Sequence, residues 1–230
     1  MASNVKRDHH LWTRDTIKNV SGNVTLDIAG DIILDADGGQ ISMKDGGASH
    51  FLFDCDSTML RIYDDADSGD WFTISVDASG ETTISTRDDS AAVGHLIITP
   101  DGHTDFRTGT GFPLRTVTYN SVSTIPDFRA GNKAMATFVG GNISSVKMTF
   151  PDISGNFLFL LKQDAIGGRT VTSWLAYNSV QNAASTPALK FAGGSNPTLT
   201  TDANHVDIIS IFWDADNEIA YGAATLDFQF

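Results

Sequence analysis

Cysteine is almost absent from this sequence. The single Cys55 excludes an internal disulfide framework and any cysteine-based zinc site. Its FDCD surroundings predict a half-buried strand position, where acidic neighbours disfavour a thiolate. Glutamate is nearly missing as well: only Glu81 and Glu218 occur, so the acid is aspartate. Aspartate favours turns and caps where glutamate favours helix interiors, which predicts many turns and few helices. No apolar run approaches the ~18 residues of a membrane span. The longest, FLFLL at 157–161, suits a buried strand. The start, MASNVKRDHHLW, has no apolar signal region, so a soluble protein made in a cytoplasm is expected. Positive charge is scarce too. Acids outnumber bases 28 to 15, a net charge of −13, and such a field repels nucleic-acid phosphate and anionic membrane.

Motifs of catalysis are also missing. There is no G-x-S-x-G elbow, no P-loop, no G-x-G-x-x-G after a strand and no Cys-His-Asn set. Aspartate pairs that could hydrolyse a glycan are too plentiful to single any out. The six histidines, His9, His10, His50, His95, His103 and His205, show no H-E-x-x-H or His/Cys spacing. His95 and His103 flank GHLIITPDGH and could form rings on an axis between copies; isolated histidines are the commoner case. No enzyme activity, cofactor or metal is expected.

What is present is alternation. NVTLDI, DIILDA, QISMKD, SHFLFDC, TMLRIYDD, DWFTISVD, ETTISTRD, GHLIITPDG and TDFR recur about every ten residues, each bounded by an Asp/Gly cluster. No fixed-length repeat underlies them. The second half has longer, greasier strands, among them ATFVGG, SSVKMTF, NFLFLLKQ and RTVTSWLAY, and a hairpin, VDIISIFWD-ADNE-IAYGAATLDF. Charge divides the same way: residues 1–110 hold 19 acids and 8 bases, residues 111–230 only 9 and 7. The reading is all-β. A thin shaft or small β domain occupies 21–110, a linker 111–117, and a β-sandwich knob 118–230. The one weak helix candidate is 8–18.

A rung with two or three apolar side chains cannot offset the entropy of ordering about ten residues. Three copies around an axis would bury each rung against two partners and close the strand edges. Val24, Leu26, Ile28, Ile32, Leu34, Ile41 and Met43 would then face the axis, and Asp27, Asp31, Asp35 and Lys44 water.

The runs GDIILDADGGQISMKDGGASHFLFD, LRIYDDADSGDWFTISV and HLIITPDGH resemble rungs of virion fibre proteins of tailed bacteriophages, especially marine ones. KFAGGSNPTLTTDANHVDI, Lys190 to Ile208, with the hairpin after it, resembles a terminal β-domain of phage fibre and head-decoration proteins. MASNVKRDHHLW resembles the start of several such proteins. The resemblance implies a structural virion component, commonly trimeric, with a jelly-roll-like knob. Other virion proteins, and a host surface glycan, would be its partners. A capsid cement protein and a small glycan-degrading spike are the alternative readings.

Three places invite closer attention. Asp35–Gly39, Asp64–Asp70 and Asp214–Glu218 cluster carboxylates as calcium sites do, yet none has the calcium-loop spacing, and turn formation explains them as well. The N-terminal segment gathers Lys6, Arg7, His9, His10, Trp12 and Arg14 in an otherwise acidic chain. A tryptophan flanked by bases makes a good interface anchor, so this segment is the expected virion attachment, against the plainer reading of a frayed terminus. Trp213 and Tyr221, near the last hairpin, could stack on sugars or fill the core.

Overall fold

The structure is a computed structural model that describes residues 21–23, 25–90, 93–181 and 183–229. The expected anchor, the helix candidate at 8–18 and Val24 lie outside them. Among the described residues all regular structure is β apart from two short 3-10 turns, Phe128–Ala130 and Ala192–Gly194. No helix among the described residues is long and apolar enough to cross a membrane. The chain divides into two compact units, the first ending at His103 and the second starting at Thr104.

In the first unit, five strands form one antiparallel sheet in sequence order: β1 (Gln40–Asp45), β2 (Ala48–Asp54), β3 (Met59–Tyr63), β4 (Trp71–Val76) and β5 (Thr82–Arg87). These are the alternating runs from QISMKD to ETTISTRD. Their turns are built on aspartate. Asp54 accepts the Ser57 amide and hydroxyl, and Asp64 accepts the amides of Ala66 and Asp67. Asp77 accepts the Ser79 hydroxyl and the amides of Ser79 and Glu81. The Ser79 hydroxyl bond does most to hold the Asp77 carboxyl below its usual range. Between β1 and β2 the work falls to Gly46 and Gly47, whose φ of 56° and 97° a two-residue hairpin loop requires.

Two expectations fail here. The described residues of NVTLDI and DIILDA, and later GHLIITPDG and TDFR, form no strand: residues 25–39 and 93–114 carry no regular pairing. Alternation alone is insufficient, because a strand exists only beside a hydrogen-bonded neighbour and these runs have none among the described residues. Cys55 is not half-buried in a strand either. β2 stops at Asp54, leaving Cys55 exposed in the following turn.

The second unit holds ten strands: β6 (Arg115–Thr116), β7 (Ser123–Thr124), β8 (Lys133–Thr137), β9 (Ile143–Thr149), β10 (Gly155–Lys162), β11 (Val171–Tyr177), β12 (Ala183–Ala188), β13 (Lys190–Phe191), β14 (Val206–Asp214) and β15 (Ile219–Phe228). They form a six-stranded sheet, β13-β15-β14-β10-β8-β6, and a four-stranded sheet, β12-β11-β9-β7. One core joins the two, with Phe159, Leu161, Ile209, Ile211 and Trp213 from the larger sheet and Val146, Met148, Trp174 and Ala176 from the smaller.

The winding is not the expected jelly roll, which would be antiparallel throughout. From β6 to β11 the chain alternates between the sheets, and each strand lies parallel beside the strand two before it. Arg115 pairs with Ala134, Ser123 with Ser145, Lys133 with Leu158, and Ile143 with Val171. The interval between partners lengthens at each step, so a coil exists without any sequence repeat. The expected β14–β15 hairpin then lies antiparallel against β10.

Candidate interaction surfaces

Strand register sorts the side chains of the first sheet. Ile41 pairs with Phe53 and Met43 with Phe51; Phe53 and Phe51 pair with Leu60 and Ile62. Those two pair with Ile74 and Phe72, and Ile74 with Ile84. With Val76, two residues beyond Ile74, ten apolar side chains therefore share one face. None of the ten is buried, and Phe51 and Phe53 are each 41% exposed. The opposite face is mixed: Leu52 and Thr73 are buried on it, beside Arg61 and Trp71. The Arg61 guanidinium lies 4.7 Å from the Trp71 ring centre and 5.7 Å from that of Tyr63. On the same face the Thr73 and Ser85 hydroxyls bond at 2.7 Å. The apolar face spans roughly five strands at ~4.8 Å by six residues at ~3.3 Å, about 480 Å², toward the upper end of the largest patch a lone soluble domain leaves open and of the size that often marks an interaction surface. Leu26, Ile28, Ile32 and Leu34, expected on an axis, are likewise exposed.

Comparison with known families, curated proteins and solved structures returned no match.

The aspartate clusters are mostly engaged locally. Asp67 accepts the Gly69 amide and Asp70 that of Asp89. Asp214 accepts the backbone and side-chain amides of Asn217. Folding does bring Asp89 within 4.8 Å of Asp67 and Asp70, and Asp202, His205 and Asp227 similarly together. Neither grouping was legible from spacing. In the second, His205 Nδ1 lies 2.7 Å from Asp227. His95 and His103 are exposed, outside any strand.

The KFAGGSNPTLTTDANHVDI segment proves to be a loop clamp. Asp207, 1% exposed, accepts the Thr200 amide and hydroxyl at 2.9 and 2.7 Å and the Asp227 amide at 3.1 Å. Beside it, buried Gln163 donates to the Arg169 and Thr200 carbonyls and accepts the Arg169 amide. Gly167, at φ 76°, passes so close to Thr201 that a Cβ would lie 2.3 Å from its carbonyl oxygen. No signal marked Asp207 or Gln163, because a polar residue in an alternating strand reads as surface.

Asp164 completes this end. Burial works to raise its carboxyl, but Arg169 at 2.8 Å and the amides of Gly167, Gly140 and Ile166 outweigh it and hold it at about 2. A carboxyl depressed on folding from 3.8 stabilises fully above that value and loses its contribution as pH falls toward 2. Asp164→Asn should therefore flatten the fall in melting temperature between these two values, measured by thermal melts across pH. An equally steep fall would remove Asp164 as its cause.

Of the two aromatics singled out for sugars, only Tyr221 is on the surface. Trp213 is 1% exposed and stacks on Phe150 at 4.8 Å and 10°. Phe212 is the residue paired with Tyr221, their ring centres 6.4 Å apart. One step along β14 changes the face.

Proposed function

We propose that this chain is a non-enzymatic structural protein of a phage virion: a fibre-like homotrimer fixed to the particle through residues 1–20. The supporting observation is the uncovered apolar face of β1–β5. A single-layer sheet with ten apolar side chains on one side gains most by packing that side against a like surface. The occupant must be flat, apolar and uncharged there, and a further copy of the same sheet has this chemistry. Three such faces can close around an axis, whereas an open chain of contacts would form filaments. Closure would also supply neighbouring strands to the alternating but unpaired runs at 25–36. The phage assignment draws on the sequence resemblance given above.

Native mass spectrometry at micromolar concentration tests the assembly. A trimer is expected; monomer alone would sink the reading. Phe53→Asp, at the middle of the apolar face, should convert the trimer to monomer while the near-ultraviolet circular dichroism of the second unit stays unchanged. A variant that remains trimeric shows that the face lies elsewhere than at the interface. Copy number on the particle then separates a fibre from a capsid cement protein, which would be far more abundant.

A further inference from the structure

The outer face of the six-stranded sheet carries a groove of about 580 Å³, and register fixes its floor. Asn156, Phe212 and Tyr221 form one row across β10, β14 and β15. Lys133, Leu158, Ser210 and Ala223 form the next, two residues along. Phe112 adds a further aromatic ring, its centre 5.9 Å from the Lys133 ammonium.

We propose that this groove binds an acidic sugar, a pyranose ring bearing a carboxylate. Phe212 and Tyr221 are each 46% exposed, with rings 26° from coplanar. They form an exposed, near-parallel aromatic pair that contributes little to the core. The C–H face of a pyranose matches an exposed aromatic ring, while its hydroxyl rim requires hydrogen-bonding groups around it. Asn156 and Ser210 supply these next to the rings. Asn132 is also on the lining.

Charge selects among sugars. Among the described lining residues Lys133 alone is charged, so a carboxylate is attracted here. An aliphatic ligand would leave the amides unused, and a second copy would bury the Lys133 ammonium. The site stands on the second unit alone and does not depend on the proposed trimer.

Isothermal titration of the full chain with oligogalacturonate, oligomannuronate and hyaluronan oligosaccharides, with maltohexaose as neutral control, provides the test. At least one uronate series should bind and maltohexaose more weakly. Phe212→Ala and Tyr221→Ala should each weaken binding about tenfold or more. Lys133→Gln should abolish the preference for acidic over neutral sugar. Both aromatic positions are exposed, so unchanged near-ultraviolet circular dichroism will confirm that the variants fold. Absence of binding to all three uronates, or binding that Phe212→Ala leaves intact, overturns the proposal. So does a loss of subunits in native mass spectra of Phe212→Ala without any sugar binding, which would give the face to a second copy.

Discussion

Trp213→Ala is expected to cost the second unit about 3–5 kcal/mol and lower its melting temperature by roughly 10 °C or more. The indole is 1% exposed and lies flat on Phe150. Phe150 in turn contacts Phe128 and Phe157 at 5.3 and 5.4 Å. Removing the central ring leaves a cavity that strands fixed by hydrogen bonds on both sides cannot collapse to fill. The loss has a polar part as well, since Trp213 Nε1 donates to the Pro151 carbonyl at 2.9 Å. Trp213→Phe keeps most of the stack and gives up that bond, so it should cost much less, on the order of 1–2 kcal/mol. Near-ultraviolet circular dichroism followed through a thermal melt measures both. If the alanine variant cost no more than the phenylalanine one, Trp213 would not hold the core as described.

Asp207→Ala should be about as damaging, by a different route. Three donors converge on this carboxylate: the Thr200 amide, the Thr200 hydroxyl and the Asp227 amide. Alanine removes the acceptor of all three in a part-buried setting, and a donor left unmet there costs up to about 1–3 kcal/mol. The effect will spread, because Thr200 also accepts from Gln163, which holds Arg169. The Thr200 and Asp227 amides should lose hydrogen-exchange protection first. Asp207→Asn preserves shape and one acceptor oxygen and should fall between wild type and alanine. Protection retained at both amides in the alanine variant would contradict the clamp.

The parts of the fold that sequence made legible are those whose partners are adjacent in sequence. β1 to β5 and the β14–β15 hairpin follow from alternation and turn residues, since each strand meets the next. Residues 25–36 show the same alternation and form no strand, because pairing depends on a neighbour that no local pattern reports. The β6–β11 coil was hidden for a related reason: each strand pairs with the one two before it, across an interval that changes every time. The evenly spaced runs of the first half fold as a plain antiparallel sheet, and the coiled winding lies in the second half, where no sequence period announces it. The candidate site suffered a one-residue ambiguity. Trp213 and Phe212 are equally aromatic, and only the strand register decides which is core and which is surface. Asp207 was invisible because its burial depends on Thr200 and Asp227 arriving from other segments.

The position of β14 has a consequence for how the second unit acquires its structure. This strand sits between β10 and β15 and brings Ile209, Ile211 and Trp213 to the core, yet it follows every strand of the coil in sequence. Until it docks, β10 has a bare edge and Phe159 and Leu161 have no cover from that side. A chain emerging from a ribosome would thus hold its coil in an adhesive, half-closed form and become locked only when the last hairpin folds back. Long-range closure of this kind makes folding slow and concerted, and a nascent coil that meets another before its hairpin arrives is primed to exchange strands with it.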